Sequence, residues 1–204
     1  MGAELALEPD AQLMLQVRAG DDASFYLLLQ KYRCPIVGYL TRMVRNQGVA
    51  EELGQEVFLR VYKARASYEP SAKFTTWLYR IASRVALNAI RDRKAESGDR
   101  SLDEPASGGQ PVQPADSRPT REQELVAEAR LAIVRQAIAA LPNNQRSAVL
   151  MHKYQELDYS QIAAALGCSV SAVKSLLFRA YGTLRSRLEE VAINQYSRQT
   201  QVTK

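Results

Sequence analysis

"YSQIAAALGCSVSAVKSLLFRA", Tyr159–Ala180, decides the fold of the second half of this chain. A short apolar helix runs into Gly167, a residue free to take the left-handed conformation that ends helices. Ser169 follows, with a hydroxyl suited to capping the first turn of the next helix. Two helices joined by so tight a turn make a helix-turn-helix. At about 100° per residue, Val173, Leu177, Ala180 and Leu184 share one face of the second helix. Ser171, Lys174, Ser175, Phe178 and Arg179 fall away from it. Ser169 to Arg187 holds four basic residues and no acidic one. Such a face suits a DNA major groove lined by phosphates. The bland reading is a solvated basic hairpin with Phe178 in the core.

Outward from this motif, 204 residues with 46% hydrophobic content leave room for one domain or two small ones. The 27 Lys and Arg against 22 Asp and Glu give a formal charge of +5, which favours polyanionic partners. Cys34 and Cys168 stand far apart, and the only histidine, His152, has no ligand company. We therefore expect no metal site, no disulfide framework and no cofactor. Both cysteines read first as small buried residues, with redox sensing as the lesser reading. The acidic N-terminus does not read as a signal peptide, and no run approaches a membrane span, so a cytoplasmic protein is expected.

Residues 95–120, "AESGDRSLDEPASGGQPVQPADSRPT", carry four prolines, three glycines and no aromatic residue. They read as a flexible linker between a lobe at 1–94 and a second at 121–191, with a polar tail at 192–204. Both lobes read as helical, because apolar residues recur three and four apart. Asp10 is expected to cap a first helix and Asp21 or Asp22 a second that stops near Pro35. A third helix continues from Ile36 to Val44, a fourth spans about 49–66, and Ser67–Lys73 is a loop. A fifth helix takes Phe74 to about Arg93. Four more run near 122–140, 144–155, 159–166 and from Val170 to about Val191.

The fifth helix opens "KFTTWLYRIASR", Lys73–Arg84. From Arg60 to Lys94 there are nine basic and two acidic residues. Rotation places Leu78, Ile81, Ala82, Val85 and Ala89 on one side and Arg80, Arg84 and Arg91 on the other, with Trp77 and Asn88 at the edge. Cations, a flat ring and an amide are the components of a single-strand binding surface. Spacing alone leaves equal room for a solvated face with Trp77 in the core. On the fourth helix, Glu52, Gln55, Glu56 and Lys63 share a face with Leu59, which suggests a protein contact. Glu51, Glu52 and Glu56 also complement the helix dipole, and that alone would explain them.

Together these residues resemble bacterial sigma factors of the small extracytoplasmic-function class, which keep only regions two and four. "ELGQEVFLRVYKA" resembles the polymerase-clamp motif, "FTTWLYRIA" the promoter-melting segment, and "LPNNQRSAVL" with the helix-turn-helix resembles region four. The resemblance implies an all-α fold of two small helical domains. It implies that Glu51, Glu52, Gln55, Glu56 and Leu59 meet the clamp helices of the largest subunit of core RNA polymerase. Lys73, Phe74, Trp77, Arg80, Arg84, Asn88 and Arg91 would take melted minus-10 DNA. Ser171, Lys174, Ser175, Phe178 and Arg179 would read minus-35 DNA, while the second lobe also docks on the flap of the second-largest subunit. An anti-sigma factor, which would sequester the protein at the inner membrane if itself membrane-bound, is the further partner implied.

Four positions depart from the family pattern. Arg84 stands where many relatives have asparagine. Leu176 and Tyr181 replace frequent basic residues, and Gly54 replaces a larger one, which would thin the packing there. Two other classes compete. A stand-alone helix-turn-helix repressor would use the first lobe for dimerisation or ligand binding. An enzyme acting on a small-molecule substrate has no P-loop, GxSxG motif or metal cluster to support it, so no catalytic residue is expected.

Overall fold

The computed structural model describes residues 8–96 and 121–202, with side chains placed for 8–95 and 127–189. Most of the expected linker, 97–120, lies outside the described residues. The elements are α1 (Pro9–Arg18), α2 (Asp22–Val44), α3 (Gln47–Lys63), a 3₁₀ turn (Ala64–Ser67), α4 (Phe74–Glu96), α5 (Arg121–Ala139), α6 (Asn143–Tyr154), α7 (Tyr159–Leu166) and α8 (Val170–Val202). The fold is all-α among the described residues, in two helical domains.

Local chemistry sets most helix ends. Asp21 caps α2 by accepting from the Ala23 amide at 3.0 Å, and Asn46 caps α3 through Val49 at 3.0 Å. Asp158 and Gln161 close a reciprocal capping box on α7. Arg45, at φ 61°, ends α2 in the left-handed region.

Several expectations are corrected. Pro35 does not stop a helix: it lies inside the 23-residue α2, which merges the second and third segments expected. A mid-helix proline costs about 3 kcal/mol. Here Leu28, Tyr32, Ile36, Tyr39 and Leu40 are buried on both sides of it, and that apolar burial offsets the loss. Asp10 is not a cap but sits in the first turn behind Pro9 and is buried. Its carboxylate accepts from Lys31 Nζ at 2.7 Å and from the Tyr32 hydroxyl, tying α1 to α2. The α8 backbone stays helical to Val202, beyond the expected end near Val191.

Gly54 does not thin the packing of α3. A Cβ built there would lie 3.0 Å from Val37 Cγ2, so glycine lets α3 approach α2 closely. Cys34 is exposed rather than buried, and Cys168 is half-buried, its thiol pushed up by desolvation.

The two domains are docked on each other. One continuous apolar core runs from Met14 and Tyr39 in the first to Leu150 and Ala165 in the second. Arg146 Nη1 donates 2.7 Å to the Met43 carbonyl at the end of α2, and Nη2 donates 2.7 Å to Ala139 and 3.0 Å to Leu141 at the end of α5. One guanidinium thus serves orphan carbonyls at two helix C-termini. Tyr39 and Ser147 share a buried hydroxyl hydrogen bond of 2.7 Å. The Arg42 guanidinium lies 4.4 Å over the Tyr154 ring, and the Ser83 hydroxyl donates 3.4 Å to the Ala165 carbonyl.

Candidate nucleic-acid interface

The helix-turn-helix is built as its residues dictate. Gly167 has φ 68°, and Ser169 Oγ accepts from the Ala172 amide at 3.1 Å. The chain bends by 101° from α7 to α8, within the range of this motif. Val173, Leu177 and Ala180 are buried. Ser171, Lys174, Ser175, Phe178 and Arg179 are exposed, and the last four line one shallow, open depression. Phe178 is 81% exposed, so it is not a core residue in this structure. An aromatic ring held in water between a lysine and an arginine has no packing reason to be there.

Tyr181, one of the departures, faces elsewhere. Its hydroxyl is 2.8 Å from His152 Nδ1, and Lys153 Nζ lies 5.9 Å over its ring. Tyr181 therefore fastens α8 to α6. Burial, and then the charge of Lys153, hold the His152 imidazole below its ordinary range.

Lys73, just before α4, and Arg80, Arg84, Asn88 and Arg91 on it are all exposed. Arg91 makes an exposed ion pair with Asp92 at 3.2 Å, which engages little of its charge. Two aromatic residues from the opening of this helix take different places. Phe74 is fully buried, with ring centroids 5.4 Å from Tyr32 and 6.0 Å from Trp77, and presents no face to a base. Trp77 is half-buried, edge-on to Tyr68 at 5.0 Å. Its remaining surface borders the arginine stripe. Tyr68 is buried, its phenol pushed up to about 12 mainly by desolvation, and its carbonyl accepts from Arg18 Nη1 at 3.1 Å. Tyr68 and Phe74 thus form an aromatic bed under Trp77, and Tyr32 backs Phe74.

The sequence reading missed Glu8, whose carboxylate accepts from the Phe74 amide at 3.1 Å and occupies the start of α4. It also missed the docking residues Tyr39, Arg146 and Ser147. No local periodicity signals a contact over a hundred positions.

The α3 face is exposed at Glu51, Glu52, Gln55 and Leu59, with Leu59 47% exposed beside the acids. Glu56 pairs with Arg60 at 2.6 Å, and Gln47 donates 3.1 Å to Glu51.

With this geometry in place, comparison with known proteins is decisive. Residues 28–96 match the family model for sigma-70 region 2, and residues 131–184 match that for sigma-70, region 4. The chain is 31% identical over 189 residues to the RNA polymerase sigma-H factor of Pseudomonas aeruginosa, covering 91% of this chain and 96% of that one. The chain belongs to the sigma-70 family. It falls in the extracytoplasmic-function class, being 31% identical to the ECF RNA polymerase sigma-E factor of Escherichia coli K12 across 88% of this chain and 94% of the relative. The sigma factor RpoE from Bartonella quintana, solved in complex with the anti-sigma factor NepR, shares the fold. Its TM-score is 0.63 at 21% identity, over 81% of this chain and 96% of that one. This sigma factor thus carries region 2 in α2–α4 and region 4 in α5–α8.

Proposed function

We propose that this sigma factor divides its work among three separate surfaces. The α8 face of Lys174, Ser175, Phe178 and Arg179, with Ser171 at its start, reads minus-35 duplex. Lys73 and the α4 face of Arg80, Arg84, Asn88 and Arg91 follow the melted minus-10 strand, with Trp77 stacking at the opening point. Phe74 contributes from below, by holding Trp77 in place. The α3 face of Glu51, Glu52, Gln55, Glu56 and Leu59 meets the clamp helices of core polymerase, and region 4 also meets the flap.

The observation that carries this reading is the exposure of Phe178 between cations on the second helix of a helix-turn-helix. An arginine at position 84 in place of an amide favours phosphate over base contact there. The Bartonella neighbour was captured with an anti-sigma factor, which supports control of this chain by a protein of that kind.

The test is a purified run-off assay with core polymerase and genomic DNA, followed by sequencing of the transcripts. Discrete start sites that share two upstream elements support the reading. Failure to bind core, with no initiation from any template, overturns it.

A further inference from the structure

Helix α1 stands more than 50 positions before the start of α4, yet its two ends hold the loop that leads there. Lys73 lies immediately before α4, and a lysine side chain only donates, so it cannot cap the helix. Glu8, the N-cap of α1, makes no side-chain cap bond to its own helix. Its carboxylate crosses to α4 and accepts from the Phe74 amide at 3.1 Å. The Thr76 and Trp77 amides donate to the Lys73 carbonyl at 3.0 and 3.4 Å. Helix α4 thus takes its cap from α1, as a carboxylate at the positive end of its dipole.

At the other end of α1, Arg18 Nη1 donates 3.1 Å to the Tyr68 carbonyl, where the loop begins. Between these anchors the Ser71 amide donates 2.8 Å to the Glu69 carbonyl, and Glu69, Ser71, Ala72 and Lys73 are exposed. Both grips fall on main-chain atoms, so they fix the path of the chain whatever side chains the loop carries. The grip is rigid because α1 is itself fastened to α2, by Asp10 with Lys31 and Tyr32 and by the Ser24 hydroxyl with Gln16 at 2.7 Å. Tyr68 and Phe74, the two residues gripped, are also the two on which the Trp77 ring rests, at 5.0 and 6.0 Å between centroids.

We propose that Glu8 and Arg18 are positioning residues for strand opening. They touch no DNA, and act through the main chain of Phe74 and Tyr68 to set the bed on which Trp77 stands. This rests on the reading of Trp77 and α4 as the melted-strand surface. A surface held in its binding shape beforehand loses less freedom when the strand arrives, so it takes the strand more tightly than a loose one. A helix that only stabilised its domain would have no such selective effect on opening.

The test uses the full chain as holoenzyme. Permanganate reactivity of a duplex promoter measures opening, and a minus-35 duplex fragment measures binding away from α4. Acrylamide quenching of Trp77, the only tryptophan, reads the bed in the free chain. Glu8→Ala and Arg18→Gln should each raise quenching and lower the opening equilibrium by about 10-fold, as loss of one hydrogen bond to a charged group does. Minus-35 binding should hold within about twofold. Glu8→Gln keeps an oxygen that can accept from Phe74 and should hold opening within about threefold. In a Trp77→Ala background, Glu8→Ala should cost less than about twofold, because a residue acting through Trp77 then has nothing to place. Unchanged opening in both variants, equal losses of opening and minus-35 binding, or full additivity with Trp77→Ala overturns the proposal. So does a salt slope lower by about one in Arg18→Gln, which would make Arg18 a phosphate contact. If wild-type holoenzyme opens no promoter while quenching still rises in the variants, the grip on Trp77 stands and the strand-opening reading falls. Where circular dichroism shows that Glu8→Ala has lost helix, Arg18→Gln, an exposed side chain at the far end of α1, decides by the same outcomes.

Discussion

Tyr39 on α2 and Ser147 on α6 lie 108 positions apart and share a 2.7 Å hydrogen bond in the buried seam between the two domains. Burial pushes the Tyr39 phenol far above its ordinary range, so it stays protonated and able to donate. Tyr39→Phe and Ser147→Ala should each lower stability by about 1–2 kcal/mol, because each leaves a buried hydroxyl or its space unmatched. The double variant should lose about 1 kcal/mol less than the sum. Urea unfolding of the four proteins measures this coupling, and strict additivity would place the two hydroxyls apart in solution.

Phe178→Ala separates recognition from packing. A side chain 81% exposed contributes little to the core, so stability should change by less than about 0.5 kcal/mol. Minus-35 duplex binding by the holoenzyme should weaken by about 1–3 kcal/mol if the ring contacts a thymine methyl. A large fall in melting temperature with normal DNA binding would return Phe178 to the core.

Lys174 is exposed beside Phe178. Lys174→Ala should weaken binding about equally on all minus-35 sequences and lower the salt slope by about one, as loss of a phosphate contact does. A changed sequence preference with an unchanged slope would mark a base contact instead.

The two exposed faces were legible in the sequence, and the seam between them was not. Arg80, Arg84, Asn88, Lys174 and Arg179 are exposed where helical rotation placed them, because a regular helix fixes direction from spacing alone. Phe74 broke the pattern, since Tyr32 and Tyr68 come from α2 and a loop to enclose it. Pro35 misled for a related reason: tertiary burial along α2 outweighs a local preference. Arg146 reads in the sequence as one more surface cation, and only the two helix ends that converge on it explain its burial.

Trp77 tests whether that aromatic bed supports strand opening. Trp77→Ala should cost about 1–3 kcal/mol of stability, less than a fully buried tryptophan, because only part of its ring rests on Tyr68 and Phe74. Opening of duplex promoters should fall by more than binding to a pre-melted template, since stacking offsets the cost of unpairing only where unpairing is required. Permanganate footprinting and fork-template binding measure the two quantities. Equal losses would assign Trp77 to packing.

His152 offers a pH test free of other histidines, since the chain has no second one. Burial, then Lys153, lowers its folded pKa below the ordinary 6.5. Between that lowered value and 6.5 the unfolded chain binds more protons than the folded one, so stability must decline as pH falls through this window. The contribution is fully present above about 6.5, where the neutral ring meets the Tyr181 hydroxyl at 2.8 Å. His152→Gln keeps a hydrogen-bonding group there and removes the titration. Between about pH 7.5 and 5.5 the wild type should lose more stability than this variant, read as the difference in urea midpoints. A wild type that gains relative to the variant would mean that the folded state stabilises the imidazolium, and that the bond to Tyr181 has the ring donating.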